Sequence, residues 1–111
     1  MQAQIVLINN ISIIPWSPQA NLIIIIASQV WGEYGVDELW ISCGSNGEHS
    51  RGSLHYVGHA VDCDGRDLTS KDFVKLAEIM RTRLNNQFDV IPHDSHLHIE
   101  FQPKTPMNKG N

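Results

Sequence analysis

The sequence predicts an α+β fold, a small sheet covered by two main helices, within a single domain spanning residues 1–111. Three observations carry that expectation. Apolar residues recur at helical spacing in two stretches with capping residues at their ends. Short alternating or β-branched runs lie before, between and after them. A chain of 111 residues also has room for one core and can fold without obligatory staples.

Taken in order, residues 5–14 are rich in Ile, Val and Leu but broken by Asn9 and Asn10, which predicts extended chain around a turn. Ser17 offers a capping hydroxyl and Pro18 suits a first helical turn, so a helix is expected to run to Tyr34, with Gly35 ending it. The apolar run 22–27 inside that helix predicts deep burial and is far shorter than the roughly 18 to 20 residues that cross a bilayer. Glu38–Ser42 alternates like a strand, and the Gly-, Ser- and Asn-rich stretch after it reads as a loop. Ala60–Asp64 predicts another strand, closed by a turn at Asp64 and Gly65. Thr69 or Ser70 can cap the second helix, whose Phe73, Leu76, Ala77, Met80 and Leu84 form one stripe. Residues 88–91 and Leu97–Phe101 are the last strands, joined through Pro92, His93, Asp94 and Ser95, and the polar tail 103–111 is expected to fray.

Eight Lys and Arg against twelve Asp and Glu give a net charge of −4 with no basic block, which excludes the usual electrostatic footprint of a nucleic-acid binder. No membrane partner is expected, and the N-terminus lacks the basic segment and cleavage site of a signal peptide. Cys43 and Cys63 could form one bridge but make no C-x-x-C pair. Strand parity turns Cys63 away from its neighbour Asp62, as a buried structural thiol.

All six histidines, at 49, 55, 59, 93, 96 and 98, lie in the half of the chain that holds the long loop and the last strands. A catalytic zinc takes three protein ligands from His, Asp or Glu and leaves one position for water. His55 and Asp62 are the first candidates. Asp62 sits on an apolar strand where a charge is costly unless paired or metal-bound, and Gly58 lets the chain turn so that His55 reaches the same point. The third comes from His96-Leu97-His98, where alternation places both histidines on one face, one to bind metal and the other to attend it. Two His and one carboxylate also describe the facial triad of non-haem iron oxygenases.

The stretch Ser53-Leu54-His55-Tyr56-Val57-Gly58-His59-Ala60-Val61-Asp62 resembles the S-x-H-x-x-G-x-A-x-D signature of D-alanyl-D-alanine carboxypeptidases and the related Hedgehog-type and phage endolysin zinc peptidases. His96-Leu97-His98 is similar to the closing H-x-H element of that family, in the expected order downstream. The resemblance implies one zinc ion held by His55, Asp62 and His98, with His96 as the companion histidine near the reacting water and Tyr56 and Gly58 shaping the loop. It further implies a Hedgehog-like α+β fold built on a small antiparallel sheet with two main helices, and hydrolysis of peptidoglycan peptide bonds by zinc-activated water. A phage or bacterial source follows, with the enzyme in the host cytoplasm before lysis or carried on a virion.

One position departs from that pattern. Many relatives carry an acidic base three residues before the last ligand, where this chain has Ser95. The catalytic candidates are therefore His96, for proton movement or oxyanion stabilisation, and Asp94 as the neighbouring carboxylate. Ser95 also sustains an alternative, a metal-stabilised peptidase-like binding or virion module that binds wall fragments or assembles with other proteins without cleaving. Glu100 shares the parity of His96 and His98 and could hydrogen-bond a ligand, although a solvated strand glutamate is the default reading. His49 and His59 read as non-ligands, Arg51 as an ordinary loop residue, and Trp16, Trp31 and Trp40 as packing.

Overall fold

The computed structural model describes residues 2–8, 18–42 and 60–102. These form β1 (Gln4–Leu7), α1 (Pro18–Tyr34), β2 (Glu38–Ser42), β3 (Ala60–Asp64), α2 (Ser70–Arg83), β4 (Phe88–Pro92) and β5 (Leu97–Phe101). The five strands make one sheet in the order β1-β2-β3-β5-β4. The expectation of an antiparallel sheet is corrected at one edge: β1 pairs parallel with β2, while the other three pairings are antiparallel. The cause is α1, a 17-residue crossover that returns the chain to the end of the sheet from which it set out.

Alternation on the strands sends Leu39, Ile41, Val61, Cys63, Leu97 and Ile99, each fully buried, toward the helices. There they join Ile23, Ala27, Val30 and Trp31 of α1 and Phe73, Leu76, Ala77 and Met80 of α2 in one core. The predicted deep burial of the 22–27 run holds only for one side of α1. Leu22 stays 43% and Ile25 50% exposed, because a helix lying on a sheet buries a stripe and a continuous apolar run wraps past it.

The C-terminus of α1 and the N-terminus of α2 are built as their sequences imply, while Ser17, the expected cap of α1, lies outside the described residues. Gly35, at φ 96°, ends α1 in a paired cap in which Val36 N–H donates to Trp31 O (2.9 Å) and Gly35 N–H to Gly32 O (3.1 Å). The indole N–H of Trp31 reaches the backbone oxygen of Asp64 at 3.0 Å, tying α1 to the end of β3. Gly65 follows, and a Cβ there would lie 3.0 Å from the Glu38 carbonyl oxygen, so the close approach of β2 and β3 at this end depends on glycine.

Thr69 caps α2 in a reciprocal box: Asp72 N–H donates to the Thr69 hydroxyl (3.4 Å) and Thr69 N–H to the Asp72 carboxylate (2.8 Å). The same carboxylate accepts from the Tyr34 hydroxyl at 2.8 Å, joining the end of α1 to the start of α2. Thr69→Ala is expected to lower unfolding free energy by about 1 kcal/mol, read as a lower urea midpoint at unchanged slope.

Candidate metal centre

The sheet face opposite the helices carries the polar side chains. Cross-strand pairing sets Ser42 beside Asp62 and Asp62 beside His98, with Trp40 beside Asp64 one step along and Glu100 beside Ala60 on the other side. Register and parity therefore bring Asp62, His98 and Glu100 to one spot, while Leu97 and Ile99 anchor the same strand in the core.

The contacts are close. His98 Nδ1 lies 2.8 Å from Asp62 Oδ1, and His98 Nε2 lies 2.7 Å from Glu100 Oε1. The His98 side chain is only 15% exposed. Burial opposes a charge on this ring, but the two flanking carboxylates outweigh it and hold the imidazole pKa above its ordinary value. Both ring nitrogens face acceptors, so without metal the site favours a doubly protonated ring.

The β4–β5 hairpin supplies the neighbours. His93 N–H donates to His96 O at 2.9 Å and closes the turn, stacking the His93 ring on that of His96 with centroids 4.6 Å apart. His96 Nε2 then lies 3.9 Å from Asp62 Oδ1, and its Nδ1 lies 3.1 Å from the Ser95 hydroxyl. Asp94 is exposed in the turn and makes no hydrogen bond or ion pair with another described residue. A hollow of about 210 Å³ opens beside Asp62 and His96, walled by Trp40, Ile8, Ser42, Asp64 and Ser95. Burial raises the Asp64 carboxyl above its usual range against the Gly65 N–H (2.7 Å) that favours its charge.

The donor chemistry suits a divalent metal with mixed nitrogen and oxygen ligands. Zn–N and Zn–O bonds of about 2.0 to 2.2 Å at a tetrahedral angle separate two ligand atoms by about 3.3 Å. The Asp62–His98 pair, at 2.8 Å, would need to open by roughly half an ångström to exchange a proton for the ion. Glu100 on the far nitrogen is placed as the carboxylate partner that would fix the imidazole were it to ligate a metal through Nδ1. Among the described residues no group of three or more His, Cys, Asp or Glu is disposed to hold a metal by itself. The expected third ligand, His55, lies outside the described residues, as do Cys43, His49, Arg51, Tyr56, Gly58, His59 and Trp16.

Three features of the site were not read from the sequence: the His93 stack, the Trp40 wall and the inward Asp64. The strand parity of Asp64 matches that of Asp62 and could have flagged it; Trp40 required the β2–β3 register. Cys63 is a buried free thiol on the helix side, and burial together with Asp62 and Asp64 pushes its pKa far up, in keeping with a structural role.

No family model, curated protein or solved structure gives a significant match to this chain. Among the described residues no helix is long and apolar enough to cross a membrane.

Proposed function

We propose that this protein is a zinc-dependent peptidase of the D-alanyl-D-alanine carboxypeptidase and Hedgehog type, acting on peptide bonds of bacterial peptidoglycan. The observation that carries the reading is the Asp62–His98 pair, which occupies the motif positions on adjacent strands and is backed by Glu100. His55, Asp62 and His98 would hold the ion. When bound, zinc supplies Lewis-acid activation of water and of the scissile carbonyl. The chain contributes the rest: Asp62 and Glu100 orient His98, the hollow lined by Trp40 and Asp64 receives substrate, and His96 faces the reacting group from the hairpin. The Hedgehog-like fold and a lysis-released or virion-borne setting belong to the same proposal.

A second reading is favoured by one feature, the serine at the position of the acidic base with Asp94 pointing into solvent beside it. On that reading the site binds metal and wall fragments without cleaving them. Mass spectrometry of muropeptides incubated with zinc-loaded protein separates the two, because a peptidase yields product masses that also name the bond. Stoichiometric zinc with no cleavage of any wall chemotype would establish the binding module instead, and bound iron with oxygen consumption would replace both readings.

A further inference from the structure

Charge and exposed apolar surface are segregated along this chain. Residues 1–32 carry no charged side chain, and every Asp, Glu, Lys and Arg lies at position 33 or beyond. Four of the six large apolar side chains exposed among the described residues, Ile5, Leu7, Leu22 and Ile25, fall in that uncharged part, on β1 and α1. They share one region of the surface. Ile5 and Leu7 stand in register with the buried Leu39 and Ile41, so they lie on the helix side of the sheet. Ala3 N–H donates to Ser28 O at 2.9 Å and holds α1 along β1. Ile25 and Leu22 precede Ser28 at successive three-residue steps, continuing that row along the helix.

The two edges of the sheet are finished differently. Along β4 outward backbone groups are occupied or missing: Phe88 N–H donates to Asn85 O (3.2 Å), Val90 O accepts from the Arg81 guanidinium (2.6 Å), and Pro92 has no N–H. Along β1, Gln4 and Ile8 donate inward to Asp37 O and Ile41 O, so Ala3, Ile5 and Leu7 turn their backbone groups outward. Ala3 N–H is taken by Ser28, whereas Ile5 and Leu7, 43% and 52% exposed, have no strand beyond them among the described residues. We propose that the β1 edge pairs with the same edge of a second copy of this chain, antiparallel about a two-fold axis at Val6. Ile5 of each copy then faces Leu7 of the other, and each such pair exchanges both backbone hydrogen bonds. An axis at Ile5 would instead set Leu7 against Ala3, whose N–H is already committed. Charge favours the same occupant. Two chains of net charge −4 meet where neither carries a charged side chain, while a strongly charged partner finds no counter-charge there. The axis runs through the sheet, so the polar faces bearing Asp62 and His98 open to the same side in both copies.

Cysteine cross-linking of the full-length, metal-free protein tests the register, in a Cys43→Ser background with Cys63 buried. Val6 meets its own counterpart across the axis as a non-hydrogen-bonded pair with Cα atoms about 4.5 Å apart, within disulfide reach. The two Leu7 residues stand out of register with each other, beyond the roughly 7 Å limit for a bridge. Val6→Cys is therefore expected to give a covalent dimer under mild oxidation, and Leu7→Cys is not. Sedimentation equilibrium of wild type is expected to rise with concentration to twice the chain mass. Leu7→Lys is expected to stay at the chain mass with an unchanged circular dichroism spectrum, since a charged edge blocks pairing. Monomeric wild type at every concentration, a cross-link in Leu7→Cys but not in Val6→Cys, or a dimer untouched by Leu7→Lys would each overturn the assignment. So would a monomer that sediments with neutral lipid vesicles, which would give the apolar row to a lipid surface. These readouts do not involve the metal site, so they decide the pairing whatever becomes of the peptidase reading.

Discussion

On the peptidase reading, replacing His98 with alanine is expected to remove bound zinc and hydrolysis together, an effect shared among the described residues with Asp62. The imidazole stands at the centre of the site, with Asp62 on one nitrogen and Glu100 on the other. Removing it takes away a ligand and leaves two carboxylates facing the space it filled. Three tiers of loss follow from this geometry. Glu100→Ala leaves the ligands in place but frees the ring to turn, and outer partners of this kind are worth about 10- to 100-fold in metal affinity. His98→Ala and Asp62→Ala each delete a ligand and are expected to exceed about 100-fold. His49→Ala is expected to leave zinc binding near wild type. Competition against a chelator of known affinity measures all four. Should His98→Ala keep full zinc while His96→Ala loses it, the two histidines have exchanged roles.

The ordering of those tiers was partly legible in the sequence, for physical reasons that differ from residue to residue. Strand parity alone put His96, His98 and Glu100 on one face, and the cost of a lone charge among apolar neighbours marked Asp62. The structure adds the register that makes Asp62 and His98 neighbours, which depends on β5 lying between β3 and β4. No local pattern encodes that insertion. The helices were equally legible, since Gly35, Thr69 and the Phe73 stripe act through nearby backbone. The parallel β1–β2 pair was not, because the direction of pairing is set by where α1 lands and not by the four residues of β1. The same limit explains Leu22 and Ile25: an apolar run predicts a core, while only the neighbouring sheet decides which side of the helix meets it.

The second large effect concerns turnover without metal loss. His96→Ala is expected to keep zinc and fold normally while lowering kcat by about 100-fold or more, as loss of a donor to a developing oxyanion does. The reasons are positional. His96 precedes β5 and is half-buried beside the hollow, its Nε2 3.9 Å from Asp62 Oδ1, and its other nitrogen meets the Ser95 hydroxyl and not a carboxylate such as Glu100 offers His98. Its neighbours Leu97 and Ile99 remain locked in the core and keep the strand in register. Asp94→Asn is the matched control. That carboxylate is exposed in the turn, so its loss is expected to change kcat by less than the loss of His96. Measurements of kcat, KM and zinc per chain on both variants decide the matter. Near-complete inactivation by Asp94→Asn, with His96→Ala largely active, would mean that the turn moves on substrate binding and that the base has shifted one place from Ser95 to Asp94.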